Sequence, residues 1–149
     1  MKNESQKLSC GGTLTLYGND LILSYPDGEN PKILKGHTEK ITGAMELRDG
    51  RLLSWSEDKT IKLWEKNGEE LFVFEGHMDE VRNVHELPEY RVLSWSSSEV
   101  IIWNYKNYKK ETVTFIEKGL DYLHVNESGL LTAFIGTSKK YATHLIKTT

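Results

Sequence analysis

Apolar and polar residues alternate along much of the chain, in short runs that turn-forming residues separate. From residue 41 to 75 the runs are "ITGAMEL", "RLLSWS", "TIKLWE" and "ELFVFE", and the segments between them are "RDG", "EDK" and "KNG". A period of two residues is typical of half-buried strands, and Gly, Asn and Asp favour tight turns. The pattern predicts four consecutive antiparallel strands, which we name a, b, c and d.

The next stretch repeats this pattern as "VRNVHEL", "YRVLSWS", "VIIWNY" and "ETVTFIE". The pair "GH" at 36–37 and the run "LSWS" at 53–56 both recur forty residues later. Trp64 recurs as Trp103, thirty-nine residues later, so the second copy has lost one residue in its b–c turn. A repeat of this length indicates that one structural unit is used several times.

Fainter copies flank these two. Upstream, "LILSYPDGENPKILKGH" aligns with "TIKLWEKNGEELFVFEGH", which places Tyr25 where Trp64 stands, and the N-terminal part predicts strands b, c and d. Downstream, "LDYLHVNESGLLTAFIGT" and "YATHLI" predict strands a, b and c. We therefore predict a single repeat domain over 1–149, with copies at roughly 12–37, 38–77, 78–118 and 119–149. No segment shows a long 3.6-residue period, and four antiparallel strands per repeat are typical of a β-propeller blade.

The motifs inside the repeat resemble those of the WD-repeat β-propeller family, closely over residues 34–104 and weakly on both sides. The resemblance rests on Gly36, His37, Ser54, Asp58 and Trp64 in the first copy and on Gly76, His77, Ser94 and Trp103 in the second. Glu65 and Asn104 follow the tryptophans where the family commonly has aspartate, and Ser98 or Glu99 stands near the place of Asp58. The family also often has a small residue where this chain has Trp55 and Trp95.

The resemblance implies a buried hydrogen-bond chain in each copy, formed by His37, Ser54, Asp58 and Trp64 and by His77, Ser94 and Trp103. A buried indole N–H needs an acceptor, and a serine hydroxyl can accept from it while donating to an imidazole. A carboxylate then fixes the histidine tautomer, which leaves no polar atom of the chain unpaired.

Composition narrows the functional classes. The chain has 149 residues, of which 38% are hydrophobic and 28% charged, as in a globular protein. Its net charge of -3 favours neither nucleic acid nor an anionic membrane as a partner. Cys10 is the single cysteine, which excludes an intramolecular disulfide, and no apolar run approaches the roughly 18 residues of a membrane span. We expect a cytoplasmic protein.

Chemical sites are less well supported. Serine, histidine and aspartate in each copy could form a hydrolase triad, but no Gly-rich elbow accompanies them, so we predict no enzyme activity. The two repeat histidines lack a second metal ligand at a suitable spacing, and we predict no metal and no cofactor. The run "NYKNYKK" at 104–110 interleaves tyrosine and lysine as some single-strand binders do, but it falls on a c–d turn and is better explained as a solvated loop.

Strand order predicts a binding surface, because the d–a and b–c connections emerge at the same end of an up-and-down blade. The candidate partner surface on that rim consists of Glu39, Lys40, Glu57, Lys59, Met78, Asp79, Glu80 and Ser97. Trp55 and Trp95 face away from the repeat serines, since they alternate with them along strand b. They either pack between blades, which we favour, or anchor a partner.

The predicted fold is all-β: a partial propeller of about three to four four-stranded blades that oligomerisation closes. An open arc would expose unburied sheet faces, so we expect two chains to join head to tail in a ring of seven or eight blades, with "QKLSC" completing the neighbour's last blade. The other interpretation is a segment of a longer propeller. We expect a non-enzymatic scaffold that presents rim loops to a protein or peptide; the alternative is an oligomeric propeller that binds a small ligand or glycan.

Overall fold

The chain folds into successive antiparallel sheets. A computed structural model describes residues 4–115, 122–125, 130–135 and 140–145, and every regular element within these ranges is a β-strand. The described strands form four sheets, which we call blades 1 to 4, and the strands of each blade pair in sequence order. The arrangement is a partial, unclosed β-propeller, which confirms the predicted fold class.

Blades 1 and 2 have four strands each. Blade 1 contains β1 (Ser5–Lys7), β2 (Thr13–Tyr17), β3 (Asp20–Ser24) and β4 (Lys32–Leu34). Blade 2 contains β5 (Ile41–Glu46), β6 (Leu52–Ser56), β7 (Thr60–Trp64) and β8 (Glu70–Glu75).

Blade 3 also has four strands, and the described part of blade 4 has three. Blade 3 contains β9 (Asn83–Leu87), β10 (Arg91–Trp95), β11 (Glu99–Asn104) and β12 (Lys109–Phe115). Blade 4 contains β13 (Tyr122–Val125), β14 (Leu130–Ile135) and β15 (Lys140–Leu145). The predicted start of the fourth copy at residue 119 lies outside the described residues.

Apolar side chains from neighbouring blades form three cores. The core between blades 1 and 2 contains Leu8, Leu14, Leu21, Leu23, Leu34, Ile41, Leu52 and Trp64. The core between blades 2 and 3 contains Leu47, Leu53, Trp55, Ile61, Leu63, Phe74, Val81, Val84, Val92, Ile101, Trp103 and Tyr105. The third core joins Leu87, Leu93, Trp95, Val100 and Ile102 of blade 3 to Leu123 of blade 4. Because both faces of blades 2 and 3 are covered, all five residues of β6 are buried.

The N-terminal segment departs from the prediction. Residues 5–7 form β1 and pair with β2 of the same chain, with Ser5 opposite Thr15 and their hydroxyl oxygens 2.9 Å apart. Leu8, directly after β1, is buried in the first core. The prediction that "QKLSC" completes a neighbour's last blade, and that the N-terminal part supplies three strands, is therefore wrong: blade 1 has its own fourth strand.

The alignment of Tyr25 with Trp64 is also wrong, by one residue. Leu34 pairs with Leu21, as Phe74 pairs with Ile61, and each stands at the same distance before its "GH" pair. Three residues after Ile61 comes Trp64, whereas three residues after Leu21 comes Ser24. Tyr25 lies beyond β3, and its hydroxyl donates to the backbone oxygen of Lys66 in blade 2. Blade 1 consequently lacks the tryptophan of the repeat.

Candidate interaction surface

A buried chain of hydrogen bonds crosses blade 2. Trp64 Nε1 donates to Ser54 Oγ at 2.9 Å. The Ser54 hydroxyl lies 2.8 Å from His37 Nε2, and His37 Nδ1 lies 2.8 Å from Asp58 Oδ2. A neutral imidazole that donates from Nδ1 and accepts at Nε2 satisfies every link. The structure thus brings together the four residues that the sequence indicates.

The carboxylate at the end of this chain has a second function. Asp58 Oδ2 also accepts from the backbone N–H of Thr38 at 3.0 Å, and Oδ1 accepts from the hydroxyl of Thr60 at 2.6 Å. Thr38 is the first residue after the "GH" pair, where the d–a loop begins. The side chain that orients His37 therefore also holds the backbone of a surface loop.

Blade 3 contains an equivalent hydrogen-bond chain that ends on a different carboxylate. Trp103 Nε1 donates to Ser94 Oγ at 2.7 Å, and that hydroxyl lies 2.6 Å from His77 Nε2. His77 Nδ1 lies 3.0 Å from Glu99 Oε1, which also accepts from Met78 N–H at 2.6 Å. Of the two residues that the sequence left open for the Asp58 role, Glu99 takes it.

Burial sets the protonation of both histidines. Removal from water lowers the pKa of His37 and of His77, although the hydrogen bonds to Asp58 and Glu99 act in the opposite direction. Burial alone would raise the pKa of Asp58, but hydrogen bonds from Thr60, His37 and two backbone amides lower it. Neutral imidazoles at neutral pH agree with the donor and acceptor pattern of both chains.

The triad interpretation fails on access. Ser54 and Ser94 are fully buried, and each hydroxyl oxygen already accepts from a tryptophan indole. A nucleophilic serine must reach a substrate carbonyl, which these hydroxyls cannot do. Among the described residues no group of His, Cys, Asp and Glu side chains is suited to holding a metal ion. Within those residues no helix is long and apolar enough to cross a membrane.

The d–a and b–c connections of blade 2 meet, as strand order predicts. The hydroxyl of Ser56 and the backbone N–H of Glu57 both donate to the backbone oxygen of Lys40, at 2.9 and 3.0 Å. The side chains of Glu39, Lys40, Glu57 and Lys59 are exposed around this junction. We call this end of the blades the upper rim, defined by residues 38–40, 57–59, 78–80 and 97–98.

Blade 3 continues the upper rim. Its d–a loop is tied to blade 2, because Val81 N–H donates to Ser56 O at 3.1 Å. Met78 is 64% exposed and Glu80 is exposed, whereas Asp79 and Ser97 are half-buried. Hydrogen bonds from Ser97 and Ser98, at 2.8 and 3.0 Å, lower the pKa of Asp79.

Sequence reasoning missed one exposed aromatic residue at this end. Tyr17 is 60% exposed, and the Gly18-Asn19 hairpin that follows it is held to blade 2 by a bond from Asn19 Nδ2 to Thr38 O at 3.2 Å. The two-residue turn signal between strands could have located it.

Trp55 and Trp95 pack between blades. Their side chains are 6% and 5% exposed, in the second and third cores respectively. Gly43 makes room for Trp55, since a Cβ at this glycine would lie 2.2 Å from Trp55 Cζ2. Trp55 Nε1 is buried without a hydrogen-bond partner among the described residues, so its indole contributes packing alone.

Comparison with solved structures agrees with this architecture. The chain is similar to the crystal structure of the WD40 β-propeller domain of Doa1, with a TM-score of 0.74 and 22% identity over 87% of this chain and 46% of that one. It is also similar to the structure of U3-55K, with a TM-score of 0.68 and 16% identity over 89% of this chain and 47% of that one. The chain thus spans about half the length of both. No protein-family model and no curated relative matches the sequence. The likeness shows a WD40 propeller fold.

Proposed function

We propose that the chain is a non-enzymatic interaction module whose upper rim binds a protein or peptide partner. One observation carries the proposal: the buried carboxylate that ends each hydrogen-bond chain also accepts the first N–H of a rim loop, from Thr38 in blade 2 and from Met78 in blade 3. Exposed side chains of that loop therefore stand on a fixed backbone. Loops on a rigid scaffold are the usual seat of recognition.

Met78 is the anchor of this surface. It is the most exposed of the large apolar side chains in the described residues. Charges of both signs lie on the same rim: Asp79 and Glu80 follow Met78 in the loop, and Lys59 interacts electrostatically with Asp79. An apolar centre with a mixed polar rim resembles the anatomy of specific protein interfaces, and methionine adapts readily to a partner's shape.

Selection of peptides from a random displayed library tests this function. We expect an enriched peptide to lose roughly tenfold or more in affinity with Met78→Ala and with Lys59→Glu, while Lys66→Ala, at the opposite end of the blades, has no effect. Failure to enrich any peptide, or enrichment that ignores the upper-rim changes, would contradict the proposal.

The glycan alternative has less support. It requires a tryptophan face that a sugar can reach in each blade, but the four tryptophans of the chain are all at most 6% exposed. We expect acrylamide to quench their fluorescence only weakly. Strong quenching that a sugar suppresses would restore the alternative.

We also propose that two chains associate head to tail into a ring; of the seven or eight blades expected from the sequence, the four sheets described in each chain favour eight. Ile22 and Ile33 are direct partners on the outward face of blade 1, and Ile33 is 57% exposed. A neighbouring blade would cover this apolar pair. Light scattering after size exclusion should give a dimer that Ile33→Glu dissociates; a monodisperse monomer would refute the ring.

We further propose a cytoplasmic location, with which the single free cysteine Cys10 accords.

A further inference from the structure

The opposite end of blades 2 and 3 carries a second, different surface. We call it the lower rim and define it by the a–b turns at 48–51 and 88–90, the c–d turns at 65–69 and 105–108, and the strand ends Arg91 and Lys109. The two turns of blade 3 are joined by a bond from Tyr105 N–H to Tyr90 O at 2.8 Å. They also reach blade 2, where Arg51 Nη1 donates to Tyr105 O at 3.3 Å.

Corresponding turns of the two blades differ in sequence, including the residues at their left-handed positions, which in blade 3 are Glu89 (φ +63°), Tyr90 and Tyr108. In blade 2, Gly50 and Gly68 have φ angles of +88° and +89°. Forty residues later, Tyr90 and Tyr108 occupy the same left-handed positions with φ angles of +61° and +60°. Glycine adopts this conformation without steric strain, whereas a bulky side chain is strained there. Blade 3 thus carries tyrosine twice where its neighbour carries the residue that the backbone prefers.

Both tyrosines are held in place and exposed. Tyr90 is 44% exposed and meets the buried ring of Tyr105 edge-on at 5.7 Å, while the Tyr105 hydroxyl donates to Glu86 Oε1 at 2.7 Å. Tyr108 is 40% exposed and stacks on Phe72 of blade 2 at 4.8 Å. Both rings are therefore supported by a neighbouring aromatic side chain and remain partly exposed to a partner.

Cations outnumber carboxylates beside the two rings, since Lys106 and Lys109 stand against Glu89, which is paired with Arg91 at 3.7 Å. Lys106 Nζ lies 5.0 Å from the centre of the Tyr90 ring, and Lys109 is exposed next to Tyr108. Neither lysine takes part in an ion pair with a carboxylate among the described residues, whereas Arg51 is paired with Asp49 at 2.7 Å. Two cations are available to an anionic ligand.

We propose that this face of blade 3 binds an acidic segment of a partner protein. Apolar side chains of the segment would lie on Tyr90 and Tyr108, and its carboxylates would meet Lys106 and Lys109. Tyrosines that neighbouring side chains hold in place are typical interface anchors. A polynucleotide fits less well, because binding to nucleic acid depends on many phosphate contacts and this patch offers two lysines.

The glycines of blade 2 supply the variant that tests this surface. Tyr90→Gly with Tyr108→Gly places glycine at two left-handed positions, as in blade 2, so the relief of backbone strain offsets the lost ring contacts and we expect the fold to be retained with little change in melting temperature. The probe is a fluorescein-labelled peptide of alternating glutamate and leucine, followed by anisotropy at low salt. We expect binding to the natural chain, and roughly tenfold weaker binding to the double glycine variant and to Lys106→Glu.

Three controls make the outcome decisive. A peptide of alternating lysine and leucine should not bind, and an oligodeoxythymidylate should bind more weakly than the acidic peptide. Met78→Ala should leave acidic-peptide binding unchanged, since it alters the upper rim only, so this surface and the proposed function can fail independently. Absence of acidic-peptide binding, equal binding by the double glycine variant, or tighter binding of the oligonucleotide would overturn the proposal.

Discussion

Blades 2 and 3 form the same buried hydrogen-bond chain with different carboxylates. In blade 2, Asp58 in the b–c turn accepts from His37 and Thr38, and Thr60 on β7 donates to it. In blade 3 the turn is one residue shorter, and Glu99 stands four residues before its tryptophan, where Thr60 stands in blade 2. The longer glutamate side chain reaches the two equivalent donors, His77 Nδ1–H and Met78 N–H, from this more distant backbone position. What the fold requires is therefore a carboxylate oxygen at one point in space, and the backbone position that supplies it can change.

Removing a repeat tryptophan should have the largest effect. Trp64→Ala and Trp103→Ala each leave a cavity between blades and a serine hydroxyl without its indole donor, and we expect a loss of about 3–5 kcal/mol in the free energy of unfolding. Trp103 also packs against Phe74 at 5.4 Å, so its loss should be at least as large as that of Trp64. Urea denaturation measures both. His37→Ala should also destabilise the fold in a thermal melt, and normal stability in these variants would count against the chains.

Removal of the carboxylates should have the next largest effect on stability, and the two losses should differ. Glu99→Ala leaves His77 Nδ1–H and Met78 N–H unpaired in a buried site, which should cost about 2–4 kcal/mol. Asp58→Ala should cost about 1–2 kcal/mol, because the Thr60 hydroxyl lies 3.3 Å from His37 Nδ1 and can accept in its place. Urea midpoints of these variants, with Glu99→Gln as the isosteric control, check the order. Equal losses would show that Thr60 gives no compensation.

A smaller contrast concerns the residues opposite the two interior tryptophans. Gly43→Ala drives a methyl group into the ring of Trp55 and should destabilise by about 1–3 kcal/mol. Asn83 is the corresponding residue opposite Trp95 and is exposed, so Asn83→Ala should change stability by only about 0.5 kcal/mol. The Gly43→Ala loss should be partly relieved in combination with Trp55→Val, because the smaller side chain removes the clash. Additive losses in a double-mutant cycle would contradict this steric account.

Acidification should weaken the hydrogen-bond chains of blades 2 and 3 together and so lower the stability of the fold. The folded pKa values of His37, His77 and also His85 lie below the ordinary value of 6.5, mainly because of burial. As pH falls below about 6.5 the unfolded chain binds these protons first, so stability is lost from there downward. The lowered pKa of Asp58 adds a further loss below about pH 4. Urea midpoints should decrease from pH 7.5 to 5.5; a flat or rising profile would refute neutral buried histidines.

Most of blades 2 and 3 could be predicted from the sequence. The predicted strand bounds agree with β5 to β12 within two residues, because alternation and turn residues act locally. The hydrogen-bond chains could be predicted because Trp, Ser and His recur in the pattern that resembles the WD-repeat family, which implies them. The sequence could not predict which residue replaces Asp58 in blade 3, because the residue type has changed there and both Ser98 and Glu99 lie near its place.

Other features left no readable signal. β1 consists of three exposed polar residues, so it has no alternation, and its position depends on pairing with β2. The predicted alignment of Tyr25 with Trp64 is wrong because it pairs two aromatic residues, whereas the buried leucines of β3 set the strand register. Sequence reasoning misses Tyr90 because tyrosine is not a turn residue, and it interprets the run that contains Tyr108 as a solvated loop. Only the backbone angle shows how unusual both positions are.

The carboxylates that accept the first amide of each upper-rim loop bear on how tightly a partner can bind. Association loses free energy wherever a loop must give up conformational freedom on contact. Hydrogen bonds to Asp58 and Glu99 already fix the backbone at Thr38 and Met78 in the folded protein. New partners can therefore be acquired by exchanging side chains on these loops, with little entropic penalty from the backbone beneath them.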